Sequence, residues 1–498
     1  MAQLTSLPNE IKDYIINCVI QTSPETAALC ASVCRDWQFL VERRAFRHLN
    51  FDQSDLENVR RILTPTRQAY ICQVYFVALL PEYDANHRIY KEETTEEQRA
   101  NDCAFTDAII GLFETLAGWD LDVSANRATG VKLILGASSP SDSGTDVAPY
   151  RRLRNTWRDS VLELNLAQDT QPDYELPRLP MITSFIYGGG RNTAPSACCY
   201  IAAKMPNLRD INWGFDDYDA WETSPTRRKQ LRLEFARGLA DLPESLRSFA
   251  LQFSHRSLEN HAVDPPVLVE GPISTSLDPL SEALRSLSLR LETFILELGV
   301  VMGEDLFWPK EGEECTWPCL EEIEVNLSCT SPSGEWLYRH DPKQPPPPPP
   351  RSMLPDRRYY TRSHPVPEQV SRYFLAAAHA AAHMPRLRHL RMEFHGYPEC
   401  GLDFEVPGDD MLGSAEVYVW GTTELELTTE MRDAWRAAGS AQGRRVEFVS
   451  GLDDERVSRF QCDCQPFRDN EVGGWAPLKP IGFMPPGSSL IDAIGFDL

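Results

Sequence analysis

One short pattern constrains the fold of this 498-residue chain more than any other: an apolar residue, two unconstrained residues, then apolar residues at alternating positions. It reads ICQVYFVA (Ile71, Val74, Phe76, Ala78), ITSFIY (Ile182, Phe185, Tyr187), LRDINWGF (Leu208, Ile211, Trp213, Phe215) and LRSFALQF (Leu246, Phe249, Leu251, Phe253). It returns as LETFILEL (Leu291, Phe294, Leu296, Leu298), LEEIEVNL (Leu320, Ile323, Val325, Leu327) and LRHLRMEF (Leu387, Leu390, Met392, Phe394). VKLIL at 131–135 and VLELNL at 161–166 are looser copies. Alternation puts the trailing residues on one face of a strand, and the leading residue sets the turn into it.

Helical stretches such as APSACCYIAAKMP, TRRKQLRLEFARGLADLP and VSRYFLAAAHAAAHMP precede several copies. Strand after helix after strand predicts an α/β chain with a parallel sheet, built over residues 55–450 as an irregular leucine-rich solenoid. Successive leading residues from Ile182 onward lie 26, 38, 45, 29 and 67 positions apart, so the array carries long insertions, and the asparagine turn of a regular repeat is missing. The largest insertion, 339–362, holds six consecutive prolines, which favour an extended exposed loop. Residues 455–498 form a Gly/Pro-rich tail.

The first fifty residues have a different period. Pro8 suits a first helical turn, and Ile11, Tyr14, Ile15, Cys18 and Val19 fall on one helical stripe. Ser23 and Pro24 suit the start of a second helix, and Leu29, Val33, Trp37 and Leu40 continue an apolar spacing. Ile16 and Ile20 sit roughly 140–180° from Ile11, on the other side of the first helix. About fifty residues cannot cover a helix that is apolar on two sides, so another domain or a partner is expected there.

The formal net charge is −24, yet the first fifty residues carry five basic and five acidic side chains, so the acidity belongs to the remainder. That charge excludes a free-standing nucleic-acid binder. The acidic runs DDYDAWE (216–222) and EGEE (311–314) would attract a basic peptide. No apolar run approaches 18 residues and no cationic leader is evident, so no membrane span is expected. Thirteen cysteines without framework spacing fit reduced thiols in the cytoplasm or nucleus.

Candidate chemistry is sparse. His379 and His383 have the i, i+4 spacing of two metal ligands, but HAAAH lacks the glutamate of a zinc protease; a metal-dependent enzyme there is a rival reading. CTWPC (Cys315, Cys319) and CDC (Cys462, Cys464) lack a second pair at zinc-finger spacing, and YGGG at 187–190 reads as a turn. No nucleophile elbow, phosphate loop or kinase signature is present, so no catalytic residue, metal or cofactor is expected. In ALCASVCRDW, Cys30 and Cys34 lie one helical turn apart beside Arg35; their apolar neighbours favour packing over reactivity.

LPNEIKDYIINCVI followed by ALCASVCRDWQFLV, spanning about residues 4 to 50, resembles an F-box: an L-P-x-E-I opening, isoleucine pairs and a closing V-C-R-x-W, in order. The inter-helix loop QTSPETA lacks the usual leucine-rich run. The whole chain looks like the F-box proteins abundant in filamentous fungi, with an irregular leucine-rich region after the domain. The resemblance implies a three-helix F-box at 1–50 that docks on the Skp-type adaptor of a cullin–RING ubiquitin ligase, while the rest selects a protein target. Leu7, Pro8, Ile11, Ile15, Ile16, Val19, Val33, Cys34 and Trp37 fall on the motif positions that form or support that interface. The implied function is non-catalytic substrate recruitment; a scaffold that binds the adaptor without promoting ubiquitination is the alternative.

Overall fold

The computed structural model describes residues 7–8, 11–12, 14–15, 18–19, 29–83, 93–119, 130–141, 160–166, 174–217, 225–254, 261, 264–269, 277–307, 315–341, 343, 362–396, 399–407, 413–421 and 425–449. The chain divides into two units, the first running to Arg191 and the second starting at Asn192. Both are α/β, with mostly parallel strands.

In the first unit, described residues between 11 and 19 and at 29–31 are helical, followed by helix α1 (Arg35–Ala45). Strands β1 (His48–Asp52), β2 (Gln73–Leu79), β3 (Val131–Ser138) and β4 (Ile182–Gly190) then pair in sequence order, all parallel. Helices α2 (Leu56–Ile62), α3 (Pro65–Gln68) and α4 (Thr95–Ala117) lie between them in the chain. A reciprocal cap starts α4: the Glu97 N–H donates to Thr94 Oγ1 at 3.3 Å, and the Thr94 N–H donates to Glu97 Oε2 at 2.9 Å. The helix buries Phe105, Ile109, Leu112, Phe113 and Leu116 on the unit's core.

VLELNL at 161–166 does not form a strand of this sheet. The Glu163 N–H donates to Asp102 Oδ1 at 2.9 Å and the Asn165 N–H to Thr106 Oγ1 at 3.1 Å, so side chains of α4 take up backbone donors that a strand would have paired. YGGG is not a turn either, because it ends β4. Gly190 has φ 89°, and a Cβ there would stand 1.9 Å from the Ala137 carbonyl oxygen.

The second unit alternates helix and strand: α5 (Pro195–Ala203), β5 (Asp210–Asp216), α6 (Pro225–Leu239), β6 (Ser248–Ser254), α7 (Pro279–Ser288), β7 (Thr293–Val300) and β8 (Glu322–Ser328). After a separate antiparallel pair, β9 (Tyr338–His340) with β10 (Arg362–Pro365), come α8 (Pro367–Ala381) and β11 (His389–His395). The chain continues through β12 (Cys400–Glu405), β13 (Ala415–Trp420), α9 (Thr429–Ala441) and β14 (Val446–Val449). Pairs β5–β6, β6–β7, β7–β8, β8–β11 and β13–β14 are parallel. The exceptions to the expected parallel sheet are β11–β12 and β12–β13, which run antiparallel. The link from His395 to Cys400 is too short for a crossover, so the strand can only turn back.

The leading leucines of the pattern, Leu208, Leu246, Leu291, Leu320 and Leu387, are all buried. Each repeat hooks to the next through one carbonyl that accepts two successive N–H groups. The Arg209 oxygen takes Arg247 and Ser248, and the Arg247 oxygen takes Glu292 and Thr293. The Glu292 oxygen takes Glu321 and Glu322, and the Glu321 oxygen takes Arg388 and His389. These backbone staples satisfy donors at the strand entries.

Inward side chains then stack across strands. Phe249 meets Trp213 edge-on at 5.8 Å and stacks on Phe294 at 6.3 Å, while Phe235 of α6 packs against Trp213, Phe215 and Phe253. Each such aromatic pair adds about 0.5–1.5 kcal/mol beyond its buried area. A buried ionic network pins α6 to α7. Asp217 accepts from Arg228 Nη2 at 2.6 Å and Arg232 Nη1 at 3.0 Å, and Arg232 Nη2 reaches Asp278, the N-cap of α7, at 3.0 Å.

Candidate functional site

The N-terminal helices gather around a small core of Ala31, Trp37, Leu40 and Val41, against which Ile15, Val19, Cys30 and Cys34 pack. The stripe read from the sequence therefore splits. Ile15 and Val19 turn inward, whereas Ile11, Tyr14 and Cys18, spaced i, i+3 and i+7, are exposed. The first turn starts at Pro8, whose carbonyl accepts from the Ile11 and Lys12 N–H groups at 3.1 Å.

The second apolar spacing is interrupted. After residues 29–31 the chain turns, with the Ser32 hydroxyl donating to the Leu29 carbonyl at 2.7 Å. Cys34 then adopts an extended conformation, φ −164° and ψ 168°, as the N-cap of α1. This break resets the helical phase. Leu29 and Val33 are left 69% and 67% exposed, while Trp37 is only 8% exposed. Phe39, on the outer side of α1, is also exposed and meets Tyr70 edge-on at 5.8 Å.

Of the nine interface positions that the resemblance supplies, Pro8, Ile11 and Val33 lie open to solvent and Leu7 is half-buried. Ile15, Val19 and Cys34 form the backing layer, and Trp37 sits in the core behind them. Ile16 lies outside the described residues, as does Ile20. Tyr14, Leu29 and Phe39 join the exposed apolar set without being among those nine positions. Tyr14 was legible as exposed only from the depth of the core beneath it, and Leu29 only from the helix break.

A second surface is the face of the second unit's sheet opposite its buried aromatics. In register across β8, β11, β12 and β13 it carries the rows Glu322, His389, Glu405, Glu416 and Glu324, Arg391, Asp403, Tyr418. Arg391 is the cation at the centre: its Nη2 lies 3.6 Å from Glu393 Oε2, its Nε lies 3.9 Å from Asp403 Oδ1, and its guanidinium covers the Trp420 ring at 5.7 Å. Burial pushes the Glu393 carboxyl up to about 7 and the Asp403 carboxyl up to about 6, with Arg391 pulling the other way. Burial also raises Glu322 and Glu324, and it lowers His389 to about 4.

Of the acidic runs singled out in the sequence, Asp216 and Asp217 lie among the described residues. Asp217 is buried on Arg228 and Arg232, Asp216 is exposed, and 218–222 and 311–314 lie outside the described residues. His379 on α8 and His383 in the turn just past its end are both exposed, and among the described residues they gather no third ligand. Cys315 and Cys319 flank Trp317, whose buried indole N–H donates to Ser288 Oγ at 2.8 Å, so CTWPC is an anchoring turn. Cys462, Cys464 and most of the proline-rich insertion lie outside the described residues. Among the described residues, no helix is long and apolar enough to cross a membrane.

No protein-family model matches the chain, and no curated protein matches it. Among solved structures, it is similar to the leucine-rich repeat-containing protein LegL7 from Legionella pneumophila, at 12% identity, over 79% of this chain and 90% of that one. The TM-score is 0.26, too low for this likeness to carry any conclusion about the present chain.

Proposed function

We propose that the chain is a substrate receptor of the F-box type. Its N-terminal helices dock on a Skp-type adaptor of a cullin–RING ubiquitin ligase, and its helix–strand repeats, a degenerate leucine-rich solenoid, hold the target protein. The observation that carries the reading is the exposed apolar set Ile11, Tyr14, Leu29, Val33 and Phe39, borne by helices and, for Val33, by the turn before α1, with Trp37 closing the core behind them. Five large apolar side chains left open on so small a helical unit call for a partner. The F-box resemblance of the same residues supplies its identity. Target ubiquitination then follows from proximity, since a tethered target meets the ubiquitin-charged enzyme at high effective concentration.

Co-purification of the full chain with a Skp-type adaptor tests this. The wild type should retain the adaptor, and Tyr14→Asp and Val33→Glu should each lose it while the chain keeps its far-ultraviolet dichroism. Retention by both variants would remove the proposed docking surface. Ubiquitination of a co-purified target in a reconstituted ligase would distinguish a receptor from a scaffold.

A further inference from the structure

The sheet surface of the second unit brings together three ligand groups that neither adaptor docking nor target capture requires. Glu322 and Glu324 stand two residues apart on β8 and so project from the same face, and His389 of β11 is the in-register neighbour of Glu322. One carboxylate oxygen from each glutamate and one imidazole nitrogen all lie within 4.8 Å of one another. His389 Nδ1 is 3.9 Å from Glu324 Oε1, too far for a hydrogen bond and close enough for both to share an ion.

We propose that Glu322, Glu324 and His389 form a binding site for a divalent transition cation of the zinc type. Two carboxylates and an imidazole carry two negative charges, which one divalent cation neutralises. Ligand atoms on tetrahedral zinc, at bonds of about 2 Å, stand about 3.3 Å apart, so small side-chain rotations close the set. The mixed oxygen and nitrogen donors suit zinc better than calcium or magnesium, which take oxygen alone.

The surroundings agree with this assignment. The Glu322 carboxylate makes no hydrogen bond or ion pair among the described residues. The nearby cation, Arg391, lies against Glu393, Asp403 and the Trp420 ring, and as the in-register neighbour of Glu324 its charge also acts on Glu324 and His389, offsetting part of the negative charge. All three ligands are half-buried, so the strands hold them in place while one side stays open to solvent. That leaves a fourth coordination position for water or for a group on a bound protein, the arrangement of an open zinc site. The three ligands lie on two adjacent hydrogen-bonded strands, which fixes their spacing without a loop.

The test uses the full chain, stripped of metal by a chelator and titrated with zinc alone in a calorimeter, and with cobalt(II) as a spectroscopic probe. We expect about one equivalent of zinc whose affinity falls tenfold or more in both Glu324→Gln and His389→Ala, with His379→Ala behaving as wild type. The cobalt complex should show visible bands of oxygen and nitrogen coordination and no near-ultraviolet thiolate band. Absence of zinc binding, binding unchanged in both variants, or a cobalt complex dominated by thiolate would each overturn the proposal. The glutamine variant preserves size and hydrogen-bonding capacity, so its fold can be checked independently by thermal melting.

Discussion

Val33 and Trp37 lie four residues apart and face opposite ways: Val33 is 67% exposed and Trp37 is 8% exposed. In one continuous helix they would share a face. The extended Cys34 between them makes the difference, because α1 starts afresh at Arg35. The two substitutions should therefore separate stability from binding. Trp37→Ala should destabilise the N-terminal helices by about 3–5 kcal/mol, seen as early loss of helical signal in denaturant. Val33→Glu should leave that transition within about 0.5 kcal/mol of wild type.

The ionic network joining α6 to α7 predicts a different outcome. Asp217, Arg228, Arg232 and Asp278 are all buried. Asp217→Ala would leave two guanidinium groups without their shared carboxylate, and the second unit should lose about 3–5 kcal/mol. Chemical denaturation monitored by tryptophan fluorescence measures this, since Trp213 lies in the adjacent core.

Asp102 gives a pH dependence with a definite sign. Burial pushes its carboxyl up to about 6, against the opposing hydrogen bonds from the Glu163 N–H and Gln98 and with the carboxylates of Glu163 and Glu93 nearby. An unfolded aspartate titrates near 3.9. Between about pH 4 and 6 the folded state therefore binds more protons than the unfolded one, and stability falls as pH rises through that window. Asp102→Asn retains a side-chain oxygen for the Glu163 N–H, and it should flatten the pH profile of the first unit's melting temperature between those values.

Gly190 closes the first unit's sheet by backbone approach. Gly190→Ala would place a Cβ against the Ala137 carbonyl at φ 89°, a conformation that costs an L-residue about 1–2 kcal/mol before the clash is counted. A lowered melting midpoint for the first unit checks this, and an unchanged midpoint would show that the strand end relaxes freely.

Much of the repeat region was legible because alternation reports on which side of a strand is buried. Leu246, Phe249, Leu251 and Phe253 occupy the positions that their spacing demands, and the same holds around Leu320 and Leu387. Alternation does not say what a backbone N–H will pair with. Residues 161–166 alternate as β3 does, yet Asp102 and Thr106 claim their donors. Helix α4 has no counterpart among the expectations drawn from the sequence, although Thr94 and Glu97 are its cap. LETFILEL shows a further limit. Leu298, the last residue of the pattern, takes φ 69° beside Gly299 in a bulge and ends up exposed.

The docking surface was half legible for a related reason. Helical spacing marks apolar residues, but it cannot tell a side that packs on Trp37 from one that waits for a partner. Ile15 and Tyr14 are neighbours in the chain with opposite fates, set by where the small core lies. The carboxylates of the second unit's sheet were legible only as overall acidity, because strand register, rather than sequence proximity, brings Glu324, Arg391 and Asp403 into one row.

Calorimetric titration of a purified Skp-type adaptor into the full chain, wild type and Tyr14→Asp, tests the central claim most directly. The account predicts saturable binding at one-to-one stoichiometry and a loss of at least about thirtyfold in affinity for the variant, the scale of a single interface hot spot. No binding by the folded wild type, or equal affinity for the two proteins, would contradict it.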